Sequence, residues 1–404
     1  MQKQSGSNQA SLKESNLSLI IRSIHSSPNC SRVSLANKTG LKQATITKII
    51  GLLIEWGLVS ETESMESGVG RRPIRLTLNS DRYLLIGARI NRNYVRVGVY
   101  DISGKLYSQV EEETNADEGA LCVMRRLKGL LRTAISEAPR TPLAIGMALP
   151  GPFDAGRGRI TMMSGFPGWE EIDIEGQLKE AFHLPVFLDH DANCGALAEL
   201  WYGGHENGEN MLYVVCDRGV GAGFILGGEI YRGAQGFAGE IGHASINIFG
   251  PACECGNRGC LELYCSTKAL ENEYKQIAFD VLNPPEGGGE LYVPADEIMR
   301  RVVRGDDPAA LRAYEKVVSY LAFGTVSMIN TLNPGAVIYS DKITAGGAAF
   351  LDIVSRTLRR YLMPHTLAHI TVSTCAIEGD PMLLGASVLA FDRLLAQPSL
   401  TFGR

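Results

Sequence analysis

The chain has 404 residues, 45% of them hydrophobic and 21% charged, and a net charge of −5. A mean hydropathy of 0.00 excludes wholesale disorder, and no run approaches the ~18 apolar residues that a membrane span needs. Met1 to Ser7 lead into no apolar stretch, so no secretory signal is expected, and nine cysteines without one point to a reducing cytoplasm where clustered thiols suggest metal before disulfide.

The charge is uneven. Residues 1–80 hold ten Lys/Arg and five Glu, a net +5, which leaves −10 on the remainder. On charge alone this fits either a head that meets a polyanion or an uneven surface. The periodicity of the head is more informative. Leu17, Ile20, Ile21 and Ile24 form one apolar helix face, with Pro28 and Asn29 ending the helix. Ser31 suits the N-cap of a short helix over 32–38, and Gly40 permits a tight turn. A third helix over 43–56 repeats Ile46, Ile49, Ile50 and Leu53, and Gly57 closes it. Two short helices around a Gly-containing turn are a helix-turn-helix signature. Gln43, Thr45, Thr47 and Lys48 lie off the apolar stripe near the end that enters the major groove, and their side chains suit base edges, methyls and phosphates. Strands at 58–59 and 74–78 flank a polar loop, which makes a wing. Its Arg71 and Arg72, between Gly70 and Pro73, suit a phosphate or minor-groove contact; otherwise they are a solvated linker.

The body reads as α/β. Strands are expected at 83–90, 95–100 and 105–110, a helix at 121–135 and a buried strand at 143–149. A similar hairpin recurs at 211–216, 223–226 and 229–231. Helices follow at about 266–279, 295–303, 308–332, 346–362 and 381–395, with a surface loop at 283–289. A repeated hairpin-plus-helix pattern suits two stacked lobes with a ligand cleft between them.

The most specific motif is His243-x9-Cys253-x-Cys255-x4-Cys260. Three thiols and one imidazole match a closed tetrahedral zinc site of structural type. Cys30, Cys122, Cys194, Cys216, Cys265 and Cys375 are scattered and suit core packing.

These residues carry a resemblance. Gly239-Glu240-Ile241-Gly242-His243 and the run from Cys253 to Glu262 closely resemble the signature of the ROK family of repressors, open reading frames and sugar kinases. Pro150-Gly151-Pro152-Phe153-Asp154, His190-Asp191-Ala192-Asn193 and Asn333-Pro334 are similar to its other blocks. The head resembles that of the family's repressor branch, which includes regulators of N-acetylglucosamine, glucose and xylose genes. The resemblance implies a winged helix-turn-helix over 1–80 and, over 81–404, a two-lobed actin-like (ribonuclease-H-like) domain with a zinc loop at 243–260. It further implies sugar contacts at Asp191, Glu240, His243 and Glu262. His190 stands where the kinases usually carry Asn, and Gly165 where they often carry a sugar-contacting Asn.

The same resemblance argues against phosphoryl transfer. Asp191 occupies the base position. Where family kinases have an Asp-x-Gly-Gly-Thr phosphate loop, this chain has Arg89-Ile90-Asn91-Arg92-Asn93, a charge reversal with both glycines lost. Arg218 replaces a usual Thr in the second phosphate turn, and Ser340-Asp341 stands in place of a Gly-Gly pair. The expectation is therefore a non-enzymatic, sugar-responsive DNA-binding regulator, a repressor of genes for carbohydrate uptake or catabolism. Its implied partners are an operator duplex, a sugar or sugar-phosphate effector and further copies of itself in a homodimer or homotetramer. An active sugar kinase with an accessory head, or a repressor controlled by a sugar-transport protein, are the alternatives.

Overall fold

The structure is a computed structural model that describes residues 9–27, 30–63, 74–115, 118–151, 153–154, 159–160, 168–205, 208–282 and 292–403. Pro28, Asn29, the Gly70 to Pro73 segment, Pro152, Gly165 and the 283–289 loop lie outside them.

The head contains α1 (Gln9–His25), α2 (Arg32–Thr39), α3 (Gln43–Glu55), β1 (Val59–Glu63) and β2 (Ile74–Leu78). The apolar stripe of α1 is buried, as is that of α3. Ser31 caps α2 in a reciprocal pair with Ser34, and Gly40 ends it at φ 70°. β1 and β2 pair antiparallel, from Val59 opposite Leu78 to Glu63 opposite Ile74. The wing is anchored at its base, where the Leu76 N–H donates to the Cys30 carbonyl at 2.9 Å.

The body is two lobes of one topology. The first has β3 (Leu84–Ile90), β4 (Tyr94–Asp101), β5 (Leu106–Glu113), α4 (Ala120–Glu137), β6 (Ile145–Leu149), a small ribbon of β7 (Phe153–Asp154) and β8 (Arg159–Ile160), α5 (Ile174–Phe182) and β9 (Val186–His190). Helix α6 (Asp191–Tyr202) leaves it. The second has β10 (Asn210–Cys216), β11 (Val220–Leu226), β12 (Glu229–Ile230), α7 (Glu262–Cys265), α8 (Thr267–Leu282), α9 (Ala295–Arg304) and α10 (Pro308–Leu332). It continues with β13 (Ala336–Ser340), α11 (Ala348–Tyr361), α12 (Pro364–Ala368) and β14 (Thr371–Thr374), then α13 (Pro381–Leu394) and α14 (Pro398–Phe402). The sheet orders are β5-β4-β3-β6-β9 and β12-β11-β10-β13-β14. In each, an antiparallel three-stranded ribbon is extended by two parallel strands.

The equivalent helices α6 and α13 meet between the sheets. Each leaves one lobe and packs on the sheet of the other, α6 on β10 and β11, α13 on β3 and β6. Their backbones touch: a Cβ on Gly385 would sit 1.7 Å from the Cys194 carbonyl oxygen. The C-terminal half of α13 and α14 also join the core of the head. Leu17, Ile20 and Leu53 share one apolar cluster with Phe391, Leu395 and Phe402.

The sequence reading did not assign β9, α5, α6, β14, α12 or α14. It also left α7 unassigned and began α8 one residue early, at Ser266, whose extended backbone (φ −70°, ψ 166°) separates the two helices. Replacing Gly385 with valine should lower stability by about 3 kcal/mol or more, because the added carbons have only backbone to displace. Urea melting within ~0.5 kcal/mol of the parent would contradict the close helix contact.

Candidate functional site

A cavity of about 140 Å³ opens between the lobes where α6 begins. Its wall includes His190, Asp191, Glu240, His243 and Glu262, so all five of the sugar-contact residues implied by sequence come together.

The local fold explains their placing. β9 delivers Asp189 and His190 to the mouth of α6. Asp189 is spent on structure: its Oδ1 accepts from the His190 N–H and Asn193 Nδ2, both at 2.8 Å, and its Oδ2 pairs with Arg232. His190 Nε2 lies 3.5 Å from Asp191 Oδ1 and 3.9 Å from Glu240 Oε1. The Nδ1 of His190 is buried without a partner. Gly151 closes the far wall, where a Cβ would stand 2.4 Å from Glu240 Oε1 and 2.5 Å from His190 Nε2. Burial raises the Glu240 carboxyl, while His190 and His243 pull it down. Carboxylates and imidazoles converging on one small cavity can accept from and donate to the hydroxyls of a pyranose.

Behind this cluster lies a loop closed by bridges between Ser245 and Cys260 and between Ala252 and Arg258. The ligand atoms of His243, Cys253, Cys255 and Cys260 all lie within 4.8 Å of one another. Cys255 and Cys260 Sγ are 3.7 Å apart, as are Cys253 Sγ and His243 Nδ1. Four ligands at zinc–sulfur and zinc–nitrogen bond lengths in a tetrahedron would lie about 3.5–3.8 Å apart, so the donor set fits an ion of that kind. Glu262 Oε1 sits 3.4 Å from His243 Nδ1, which ties this loop to the cavity.

On the other side of Asp191 sits Arg89, 7% exposed. Its Nη1 donates to Asp380 at 3.1 and 3.2 Å and to the Tyr94 hydroxyl at 2.9 Å. Its Nη2 lies 3.7 Å from Asp341 and 4.0 Å from Asp191. Burial opposes the charge, yet Asp380, Tyr94, Asp341 and Asp191 together hold the guanidinium above its ordinary pKa. Asp380 feels the same burial, but Arg89, the Leu383 N–H and Arg96 bring it below the usual carboxylate range. Asp341, at φ 72°, is less well compensated, and burial pushes it up to about 6. Sequence comparison of the loop showed the charge reversal at Arg89; the three aspartates that surround it come from distant segments and were not legible.

In the head, Gln43, Thr47 and Lys48 are exposed and Thr45 is half-buried on the solvent side of α3. Arg71 and Arg72 lie outside the described residues. Cys30, Cys194, Cys216 and Cys265 are buried, and Cys122 and Cys375 are partly so. No helix among the described residues is long and apolar enough to cross a membrane.

The profile of the ROK family matches residues 85–393. The chain belongs to the ROK family. It is 27% identical over 401 residues to the xylose repressor of Caldicellulosiruptor bescii, covering 97% of this chain and 99% of that one. It is 30% identical over 357 residues to the DNA-binding transcriptional dual regulator NagC of Escherichia coli strain K12, covering 85% and 84%. Among solved structures, a ROK family transcriptional regulator homologous to the E. coli MLC protein superposes with a TM-score of 0.79 at 21% identity, over 97% of this chain and 99% of that one. A ROK family glucokinase from Streptomyces griseus, solved with glucose and AMPPNP, superposes with a TM-score of 0.67 at 25% identity, over 76% and 99%. The longer match to the regulator takes in the head, which the kinase match leaves out.

The raised Asp341 carboxyl has a sign that can be tested. A folded-state value of about 6 against an ordinary 3.8 means that the folded state holds this proton more tightly. Its stabilising contribution is full below about pH 4 and is lost as pH rises through 6. Asp341→Asn should therefore gain stability relative to the parent between pH 4.5 and 7.5, by up to about 3 kcal/mol at ~1.4 kcal/mol per unit. Parallel pH–melting profiles for the two proteins would refute this assignment.

Proposed function

We propose that this chain is a sugar-responsive transcriptional regulator, a repressor of carbohydrate genes, that has no kinase activity. The observation that carries the reading is the union in one chain of a winged helix-turn-helix with a cavity lined by carboxylates and imidazoles, in a family whose repressors match it end to end. Residues 1–80 would be the DNA-binding unit and 81–404 the effector and assembly unit. Gln43, Thr45, Thr47 and Lys48 would read the major groove, and Arg71 and Arg72 would hold phosphates. His190, Asp191, Glu240, His243 and Glu262 would hold the sugar. Assembly as a homodimer or homotetramer would place two heads on half-sites about one helical turn, or a multiple, apart.

The route between the two units is supported by the central helices. Helix α6 starts at the cavity with Asp191, and the α13 cap Asp380 pairs with Arg89 of the cavity wall. Both end against the head. His25 of α1 packs on Trp201 and Tyr202 at 4.5 and 5.1 Å between ring centres, and burial lowers its pKa to about 4. Arg22 pairs with Asp392, and the Ser399 N–H donates to Glu14 at 3.0 Å. A ligand that changes the seating of Asp191 would thus bias the position of the head.

Loss of phosphoryl transfer is supported by Arg89. Its cation occupies the acidic cluster of Asp191, Asp341 and Asp380, which is the kind of donor set that would otherwise hold magnesium beside a triphosphate. The ion at His243, Cys253, Cys255 and Cys260 would be structural zinc. It would supply no chemistry beyond holding the loop, and so His243 and Glu262, in place.

Two experiments test the reading. A Cys253→Ser, Cys255→Ser double variant should fall from about one zinc per chain to near none by elemental analysis and melt at lower temperature. Retained zinc would rule out this ligand set. Arg71→Ala with Arg72→Ala, and Lys48→Ala, should weaken binding to the chain's own promoter and flatten its salt slope by roughly one unit per lost phosphate contact. The reading fails if the parent shows no salt-dependent promoter binding, with or without sugars. Sugar-dependent ADP release that is absent in Asp191→Ala would make the chain a kinase instead.

A further inference from the structure

The chain enters the second sheet through residues 203–209, between α6 and β10, and leaves it through 375–380, between β14 and α13. Any movement of that sheet against the two central helices has to be taken up in these segments, because hinges lie in loops and element ends. One side chain joins the two. Glu199, in the last turn of α6, is 0% exposed. Its Oε2 pairs with His205 Nε2 at 2.6 Å, and its Oε1 accepts from the Ala376 N–H at 2.7 Å. Each carboxyl oxygen therefore has a donor, one from the entry segment and one from the exit segment. No Lys or Arg among the described residues comes within 4.0 Å of Glu199, so these two bonds are what offsets its burial. Losing either would leave a buried acceptor unsatisfied.

The backbone around the pair is shaped to admit it. At Gly203 a Cβ would stand 2.0 Å from Glu199 Oε2 and 2.8 Å from His205 Cδ2, so a side chain there would displace both partners. Gly204, at φ 69°, turns the chain so that His205 comes back onto α6. The exit segment is pinned beside the contact, where the Cys375 N–H donates to the Tyr339 carbonyl at 2.8 Å. Burial and the bond to Glu199 push the Cys375 thiol up to about 12, which keeps it a neutral neighbour. At 1.5 Å per residue, Glu199 lies roughly 12 Å along α6 from Asp191 at the cavity.

We propose that Glu199 is a positioning residue that latches the entry and exit of the second lobe to one another, with His205 as the half that can release. While both bonds are made, the two segments cannot flex separately. The second sheet then keeps its angle to α6, and Glu240 and Asp341 keep their distance from Asp191. His205 is the releasable half because its side chain is 16% exposed and makes no other hydrogen bond among the described residues. Loss of that side chain would free Glu199 to turn, and the Ala376 N–H would lose the oxygen that now fixes it. The latch stands on this geometry; only its consequence for affinity rests on the effector reading under the preceding heading.

The test is hydrogen–deuterium exchange of the full, ligand-free chain, read by mass spectrometry at residues 203–205 and 375–380. His205→Ala should speed exchange at 375–380 by about tenfold or more, while β3, β4 and the middle of α13 exchange as in the parent and so show that the variant folds. His205→Gln, whose amide nitrogen stands as many bonds from Cβ as the histidine Nε2, should restore the protection. Faster exchange at 203–205 alone, with 375–380 unchanged, overturns the latch. So does a rise spread through the whole chain, or a His205→Gln variant that behaves like His205→Ala. In a second arm, the sugar that binds the parent most tightly by calorimetry should bind His205→Ala about fivefold or more weakly, and His205→Gln nearly as it binds the parent. Unchanged affinity beside lost protection overturns the positioning role. If no sugar binds the parent, the effector reading fails, and the exchange result still decides the latch.

Discussion

The contact on which the rest of this molecule depends is the meeting of α6 and α13 at Gly385 and the Cys194 carbonyl. Helices usually stand 8–10 Å apart because side chains separate them. Here one has no side chain at the crossing, so two helices fit between two sheets and each can bury every face. Ala192 to Glu199 are buried without interruption, as are Met382 to Phe391. Neither helix has a solvent side along which it could slide. Each packs on the sheet of the lobe it does not leave, so the lobes are tied by an exchange of helices as well as by surface contact.

This arrangement makes the cavity and the head two ends of one object. The N-terminus of α6 stands at the cavity with Asp191 in its first turn, and that of α13 is joined to it through the pairing of its cap Asp380 with Arg89. Their C-terminal residues Trp201, Tyr202, Phe391 and Asp392 belong to the seat of α1. Arg89 adds a tether across the cavity, since it is carried on β3 of the first lobe and faces Asp341, just after β13 of the second. One guanidinium, assisted at Asp380 by Arg96, serves three partly buried aspartates. The elevated pKa of Asp341 is the sign that this compensation is incomplete.

Much of this was legible in sequence where a physical period or spacing was present. The stripe Leu17, Ile20, Ile21, Ile24 and the Ser31 cap gave the head, and the interval from His243 to Cys260 gave four donors that do converge. The central helix α6 left no such trace. It is Asp-Ala-Asn-Cys-Gly-Ala-Leu-Ala-Glu in its first nine residues, mostly small and apolar, with Asn193 and Glu199 buried and Asp191 facing the cavity, so it has no amphipathic period. β9 was hidden for a related reason: it ends in Asp189 and His190, which read as loop residues, yet both are buried, Asp189 through its bonds to Asn193, Arg232 and the His190 N–H. The sugar-contact residues came from resemblance to a family, residue by residue, and the cavity gathers them. Pairings that depend on topology, such as Arg89 with Asp380 and with Asp341, needed the fold.

The energetics of signalling follow from the same geometry. Allosteric coupling in proteins of this size is typically worth 1–3 kcal/mol, or about 5–150-fold in affinity. A ligand can supply it only through a difference in contacts between two states of the molecule. Contacts confined to one lobe would bind equally well whatever the other lobe did. In the proposed regulator, the groups that can register a difference are therefore those contributed from both sides of the cavity: Asp191 against Glu240 and His243, and Arg89 against Asp341. They bear on Asp191, the first residue of α6, and on Arg89, which holds the α13 cap Asp380. A change in their spacing has to be passed along helices that are packed on every side, and the head is what those helices meet at the other end.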